Sequence, residues 1–98
     1  MSYERVLDEI EGIRKWYIRE LAPESSQEET DGFLGELDSL EDLLEHDEFS
    51  EAKAIVKSQE RYFRDNNYLG IMDNYKSLRE GLETVHAQYN KKNQDGKI

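Results

Sequence analysis

Hydrophobic residues recur at helical spacing along most of the chain, and the most regular stretch is residues 67–90. Its apolar positions are separated alternately by three and four residues, which is the stripe of an amphipathic helix. These positions are Tyr68, Ile71, Tyr75, Leu78, Leu82, Val85 and Tyr89. Burying each such side chain contributes roughly 1.5–3 kcal/mol, whereas ordering the backbone costs about 1–2 kcal/mol per residue. The rest of the chain must therefore cover this stripe.

Two similar stripes predict helices in the first half of the chain. The first helix runs from about Ser2, a suitable N-cap, to Leu21. The second opens at the capping box that Ser26 and Glu29 form, with Thr30 as the alternative first cap. The apolar stripes are Tyr3, Val6, Ile10, Ile13, Tyr17 and Leu21 in the first helix, and Phe33, Leu37, Leu40 and Leu44 in the second.

A third helix is predicted from a cap at Asp47 or Ser50 to about Arg64. Its stripe consists of Phe49, Ala52, Val56 and Phe63. The short connections make successive helices antiparallel. We predict an all-α fold, a small antiparallel bundle of four helices in residues 1–90, followed by a disordered tail in residues 91–98. The alternative is a three-helix core whose first helix is exchanged with a second copy in a homodimer.

Charge is distributed unevenly along the chain. The net charge is −10, and no lysine or arginine stands between Arg19 and Lys53, where acidic residues are frequent. Direct binding of nucleic acid is therefore not expected, because it requires lysine and arginine to neutralise phosphates. A basic protein is the partner that such a charge favours, although acidic helices also simply keep a protein in solution. One face of the second helix concentrates the acids, namely Asp31, Asp38, Asp42 and Glu45.

Patterns typical of catalysis or of a metal site are missing from the sequence. The chain has no cysteine, so it has no disulfide, thiolate metal site or cysteine nucleophile. Glu83 and His86 have the spacing of two metal ligands on a helix, but the second such pair of a di-metal bundle is missing, since Leu43 stands where a glutamate is required before His46. No glycine-rich phosphate loop or nucleophile elbow is found. We therefore expect a protein that is not an enzyme and has no cofactor.

The distribution of apolar residues also bears on location. No run approaches the roughly 18 apolar residues that a membrane-spanning helix needs. The first residues lack the basic and then apolar pattern of a secretory signal. We expect no membrane partner and a cytoplasmic location.

Aromatic residues are the candidate partner-binding residues. Tyr68, Tyr75 and Tyr89 stand on the last stripe, where leucine would pack more simply, and Trp16 lies beside the first stripe. At the margin of a core, such residues bury their rings and leave their polar ends in water. They also form grooves for partner proteins. Both interpretations of these four residues stay open.

Residues 37–64 carry a further pattern. A leucine-rich acidic helix is followed by a turn with Asp47 and Phe49, and then by Glu51 and Ala52 at the start of a helix with a basic flank. This pattern resembles the helical hairpins in the C-terminal, lid-like regions of DnaK-type chaperones and their co-chaperones. The resemblance covers less than a third of the chain and implies a lid-like or docking module. It implies neither ATPase activity nor a substrate cleft, because the corresponding portions are absent.

These observations predict a non-catalytic helical protein–protein interaction module of the adaptor or chaperone-associated kind. The alternative is a small acidic inhibitor, such as an immunity protein or a mimic of nucleic acid. It would block a basic site on its partner with the acidic face of the second helix.

Overall fold

The computed structural model describes residues 3–95, with the side chains of residues 3–92. Within this range the chain forms four α-helices: α1 (Glu4–Glu20), α2 (Gln27–Glu45), α3 (Phe49–Asp65) and α4 (Met72–Asp95). Short 3-10 turns at Ala22–Glu24 and Leu69–Ile71 precede α2 and α4. Ser2, the predicted first N-cap, lies outside the described residues.

Successive helices pack side by side, and α4 packs back against α1, which closes the bundle. The helices alternate in direction. Tyr17 at the end of α1 stacks on Phe33 near the start of α2, whereas Tyr3, just before α1, contacts Phe49 at the start of α3. The predicted all-α four-helix bundle is confirmed. The alternative in which α1 is exchanged in a dimer stays a prediction.

The core lies along the axis of the bundle and is formed by the predicted stripes. Its buried hydrophobic residues are Val6, Ile10, Ile13, Tyr17, Leu37, Leu40, Leu44, Phe49, Ala52, Val56, Phe63, Ile71, Tyr75, Leu78, Leu82 and Val85. Two polar residues of α3, Gln59 and Glu60, are buried as well. Glu60 accepts two hydrogen bonds from Arg79 Nη1, at 2.8 and 3.0 Å. A buried carboxylate requires such a partner.

The N-cap predicted from the sequence is found in α2 but not in α3. The predicted N-cap of α2 is confirmed, because Ser26 Oγ accepts a hydrogen bond from the Glu29 amide at 3.1 Å, which is the Ser26 half of the predicted capping box. The prediction that Asp47 or Ser50 caps α3 is wrong: the N-cap is Glu48, without a side-chain hydrogen bond, and Ser50 lies inside the helix. Asp47 instead follows His46, the C-cap of α2. It takes a left-handed conformation with φ of 57°, and its amide donates a hydrogen bond to the Leu44 carbonyl of α2 at 3.1 Å.

The fourth helix begins later than the stripe predicts. Asn67 adopts a left-handed conformation with φ of 64°, and the Tyr68 amide donates to the Phe63 carbonyl at 2.8 Å. This hydrogen bond closes α3, so Tyr68 lies outside α4, which begins at Met72. At its other end α4 continues five residues into the predicted tail and ends at Asp95. Residues 96–98 of that tail lie outside the described residues.

Candidate partner-binding site

The four candidate aromatic residues do not form one surface. Trp16 and Tyr68 lie together where α1 ends, with ring centroids 6.1 Å apart, and Trp16 also contacts Phe63 edge-to-face at 5.4 Å. Tyr89 lies at the opposite end of the bundle, 5.3 Å from Phe49. Trp16 and Tyr89 are half-buried against the core.

Tyr75 is an interior residue, so the hypothesis that it contacts a partner needs correction. Its side chain is 0% exposed, and its hydroxyl donates to Gln59 Oε1 at 2.9 Å. Gln59 Nε2 in turn donates to Glu36 Oε1 at 3.1 Å. Burial raises the pKa of Tyr75, with further contributions from the negative charges of Glu36 and Glu60. The Tyr75 hydroxyl is hydrogen-bonded inside the bundle, so it does not need solvent as a hydrogen-bond partner.

A cleft lies between the end of α1, the start of α2 and the end of α3, and both Gln59 and Tyr68 line it. Its volume is about 530 Å³. Aromatic side chains and carboxylates dominate its lining, together with small polar groups. The aromatic residues are Tyr17, Phe33, Tyr62, Phe63 and Tyr68, and the carboxylates belong to Glu24, Glu29 and Glu36.

The aromatic residues of the cleft contact one another in a connected set. Tyr17 and Phe33 are stacked, with centroids 4.2 Å apart and planes at 18°. Phe63 lies next to Phe33 at 5.6 Å and edge-to-face with Tyr62 at 5.3 Å. Tyr17 and Phe63 are buried, whereas Tyr62 is 60% and Tyr68 36% exposed. The cleft therefore has a floor of packed aromatic rings and two rings at its rim that retain open surface.

The charge of the cleft is negative and is not compensated within it. Among the residues that the structure describes, no lysine or arginine lines the cleft. Glu36 accepts the hydrogen bond from Gln59. In the described part of the chain, Glu24 and Glu29 form no ion pair.

The acidic face of α2 continues away from the cleft. Its four predicted residues, Asp31, Asp38, Asp42 and Glu45, are all exposed. Arg14 of α1 reaches across to this side and binds Asp38 at 2.9 Å and Glu41 at 2.6 Å. The hydrogen bond to Glu41 is the main reason that the pKa of Arg14 is raised. Arg14 supplies one positive charge to several carboxylates, so the face keeps a net negative charge.

In the opposite half of the bundle, two ion pairs join α3 to α4. Lys53 of α3 lies 3.1 Å from Glu83 of α4, and its Nζ is 2.6 Å from His86 Nδ1. Arg79 holds the buried Glu60. In the chain from 3 to 92, no group of three or more histidine, aspartate or glutamate residues is arranged to hold a metal ion. Over the same part of the molecule, no helix is both long and apolar enough to cross a membrane.

Sequence reasoning identified Tyr68 but missed most of the cleft. Phe33 and Phe63 were assigned to the core, and Tyr62 only flanks the stripe of α3. Glu29 is predicted only as a capping residue, and Glu24 lies between the first two predicted helices. The one local signal is Gly32, which lies beside Phe33 on the α2 wall, where an added Cβ would meet open space.

Comparisons with protein-family models, with curated proteins and with solved structures each give no match. The resemblance of residues 37–64 to the chaperone hairpins therefore stays a prediction.

Proposed function

We propose that this chain is a non-catalytic helical interaction module that binds a partner protein at the cleft. The observation that supports this proposal is the exposed rim. Tyr62 is 60%, Leu69 67% and Tyr68 36% exposed, beside a concave surface with an aromatic floor. Tyrosine is enriched among the residues that dominate binding energy at protein interfaces.

The dimensions of the cleft limit what enters it. Its volume of about 530 Å³ is in the range of small-ligand pockets, about 300–1,000 Å³. It accommodates one or two side chains of a partner, while Tyr62, Tyr68 and Leu69 contact the surrounding surface. Because the floor is fixed by aromatic packing within the core, the site is largely formed before the partner arrives.

Site-specific photo-cross-linking tests this proposal. A benzophenone amino acid is placed at Tyr62, at the rim, or at Ala87, which is exposed on α4 near the other end of the bundle. We expect cells that express the variants to give an adduct from position 62 and none from position 87. The partner protein in the adduct is identified. It is then purified on its own, and its affinity for the native chain is compared with its affinity for Tyr62→Ala and Tyr68→Ala. Equal cross-linking from both positions, or unchanged affinity in both variants, would reject the proposal.

A second candidate function is the small acidic inhibitor, supported by the exposed carboxylates of α2. Electrostatic steering would make its association fast and sensitive to salt. Reversing Asp38 and Asp42 to lysine should then abolish binding to the partner. Binding that survives both the reversal and high salt would reject the inhibitor.

We further propose a cytoplasmic location, supported by the absence of cysteine from the sequence. A chaperone-associated role rests only on the resemblance of residues 37–64. The same cross-linking experiment addresses it, because it identifies the partner directly.

A further inference from the structure

The cleft combines an aromatic floor with uncompensated carboxylates. We propose that it binds an arginine side chain of the partner protein, an inference that rests on the proposed function. Three features support this occupant: the chemistry of the rings, the position of the charges and the poor fit of other side chains.

The rings provide surface on which a guanidinium group stacks. Phe33 is half-buried, with one face stacked on the buried Tyr17 at 4.2 Å, and Tyr62 at the rim retains 60% of its surface open. Arginine is planar and weakly hydrated, so it packs on aromatic faces through cation–π and stacking contacts. Lysine is a strongly hydrated point charge and gains less from such a surface.

The carboxylates supply the acceptors that a guanidinium group needs. Glu24, Glu29 and Glu36 line the same cleft, and no lysine or arginine of the described chain reaches it. The contrast with Arg14 is informative, because that residue already forms ion pairs with Asp38 and Glu41 on the neighbouring face. An arginine of the partner would therefore pair with the cleft carboxylates as Arg14 of α1 pairs with the carboxylates of the neighbouring face.

Other occupants fit these surroundings less well. An acidic or phosphorylated segment would be repelled by the three carboxylates. An apolar side chain would remove water from them without replacing its hydrogen bonds. A guanidinium group covers the rings and satisfies the carboxylates at once.

The inference is tested with blocked pentapeptides of the sequence Ser-Gly-X-Gly-Ser, where X is arginine, lysine, citrulline or norleucine. Each peptide is titrated into the 15N-labelled full chain at about 0.15 M salt, where long-range charge effects are largely screened. We expect the arginine peptide to shift the backbone signals of Gly32, Phe33 and Tyr62 saturably, and the lysine peptide to bind more weakly. Citrulline, a neutral isostere of arginine, and norleucine should give no saturable shift.

Two matched triple variants separate the cleft from the general charge of the protein. One removes the cleft carboxylates by Glu24→Gln, Glu29→Gln and Glu36→Gln. The other removes three charges elsewhere on α2 by Asp31→Asn, Asp42→Asn and Glu45→Gln. The first should weaken binding of the arginine peptide by about tenfold or more, and the second by less than about twofold.

Several outcomes would overturn the arginine site. These are equal binding of the arginine and citrulline peptides, shifts that map outside the cleft, or equal losses in the two triple variants. The cross-linking experiment tests the proposed function separately. A cross-linked partner that depends on Tyr62 but ignores the cleft carboxylates keeps the interaction module and rejects the arginine occupant. Absence of an adduct at position 62 rejects the module, while the peptide titration still decides whether the cleft binds arginine.

Discussion

The hydroxyl of Tyr3 donates a hydrogen bond to the carboxylate of Asp47, 44 residues further along the chain. Tyr3 precedes α1, and Asp47 holds the left-handed turn between α2 and α3. Burial and then the bond to Asp47 raise the pKa of Tyr3 to about 12. One contact thus ties the beginning of the bundle to the hairpin of its middle helices.

Replacing Tyr3 with phenylalanine should lower the free energy of unfolding by about 1 kcal/mol. This is less than the ~1.5–3 kcal/mol of a hydrogen bond to a charged group, because the pair is partly exposed. The folded-state pKa lies above the ordinary value of 10, so this stabilisation is complete below pH 10 and is lost as the pH rises towards 12. Urea unfolding below and above pH 10 measures both effects. The matched control is Tyr62→Phe at an exposed ring. Equal stability of the two variants would contradict the contribution of the Tyr3 hydroxyl.

The buried pair of Tyr75 and Gln59 gives a second prediction. Tyr75→Phe should cost about 1–3 kcal/mol, because Gln59 Oε1 is left without a donor inside the core. In the double variant Tyr75→Phe, Gln59→Leu, the unsatisfied oxygen is removed, so its loss of stability should be smaller than the sum of the two single losses. A double-mutant cycle by denaturant unfolding measures the difference. Strict additivity would show that the hydrogen bond does not couple the two residues.

Two glycines in helix interiors should respond differently to replacement by alanine. Gly35 in α2 has open space where a Cβ would stand, so Gly35→Ala should stabilise the protein by about 0.5–1 kcal/mol. At Gly81 in α4 the added Cβ would lie 3.1 Å from Val6 Cγ2 on α1. Crowding at this buried contact offsets the gain in helix propensity, and we expect no stabilisation or a loss.

A Val6→Ala background is the control for Gly81, because it removes the methyl group that the new Cβ would meet. In that background Gly81→Ala should recover the stabilisation seen at position 35. Thermal or urea unfolding of all the variants checks the prediction. A stabilising Gly81→Ala in the native background would show that α1 shifts without cost.

His46 at the C-terminus of α2 should titrate above its ordinary pKa of 6.5. Its Nδ1 lies 2.9 Å from the Asp42 carbonyl oxygen, which is the largest cause of the raised pKa, followed by the charge of the Asp42 side chain. The protonated ring therefore stabilises the helix end below pH 6.5, and this contribution is lost as the pH rises through the folded-state pKa.

NMR titration of the His46 ring measures this pKa. Asp42→Asn should lower the midpoint without returning it fully to 6.5, because the carbonyl contact remains. Glu48→Gln serves as the comparison with a weaker charge effect. A midpoint at or below 6.5 in the native protein would contradict the prediction.

The helices and the core follow from the sequence because a buried stripe must repeat at helical spacing. Tyr68 shows the limit of that rule. In the sequence it continues the apolar stripe of α4. In the structure Asn67 adopts a left-handed conformation, and the Tyr68 amide donates a hydrogen bond to the last turn of α3. Periodicity records which face a residue would occupy in a helix and not whether the helix has begun.

Polar residues on apolar faces were the second source of error. Gln59 is buried within the α3 stripe, and it is Gln59 that lets Tyr75 enter the core. A tyrosine at a stripe position reads equally as a surface residue or as an interior one until its hydroxyl partner is known. The cleft was beyond sequence reasoning for a related reason. Its walls come from three separate helices, and the gap between them depends on how those helices pack.

Tyr3 and Tyr89 both lie beside Phe49, with ring centroids 6.1 and 5.3 Å from it. The start of α1 and the last turns of α4 are therefore neighbours, and the length of α1, about 25 Å, separates them from the cleft. A tether to a surface, an affinity tag or a fused domain attached at either side leaves the cleft accessible. Since Tyr3 and Tyr89 lie close together, the described bundle also suits insertion as a unit into a surface loop of another protein.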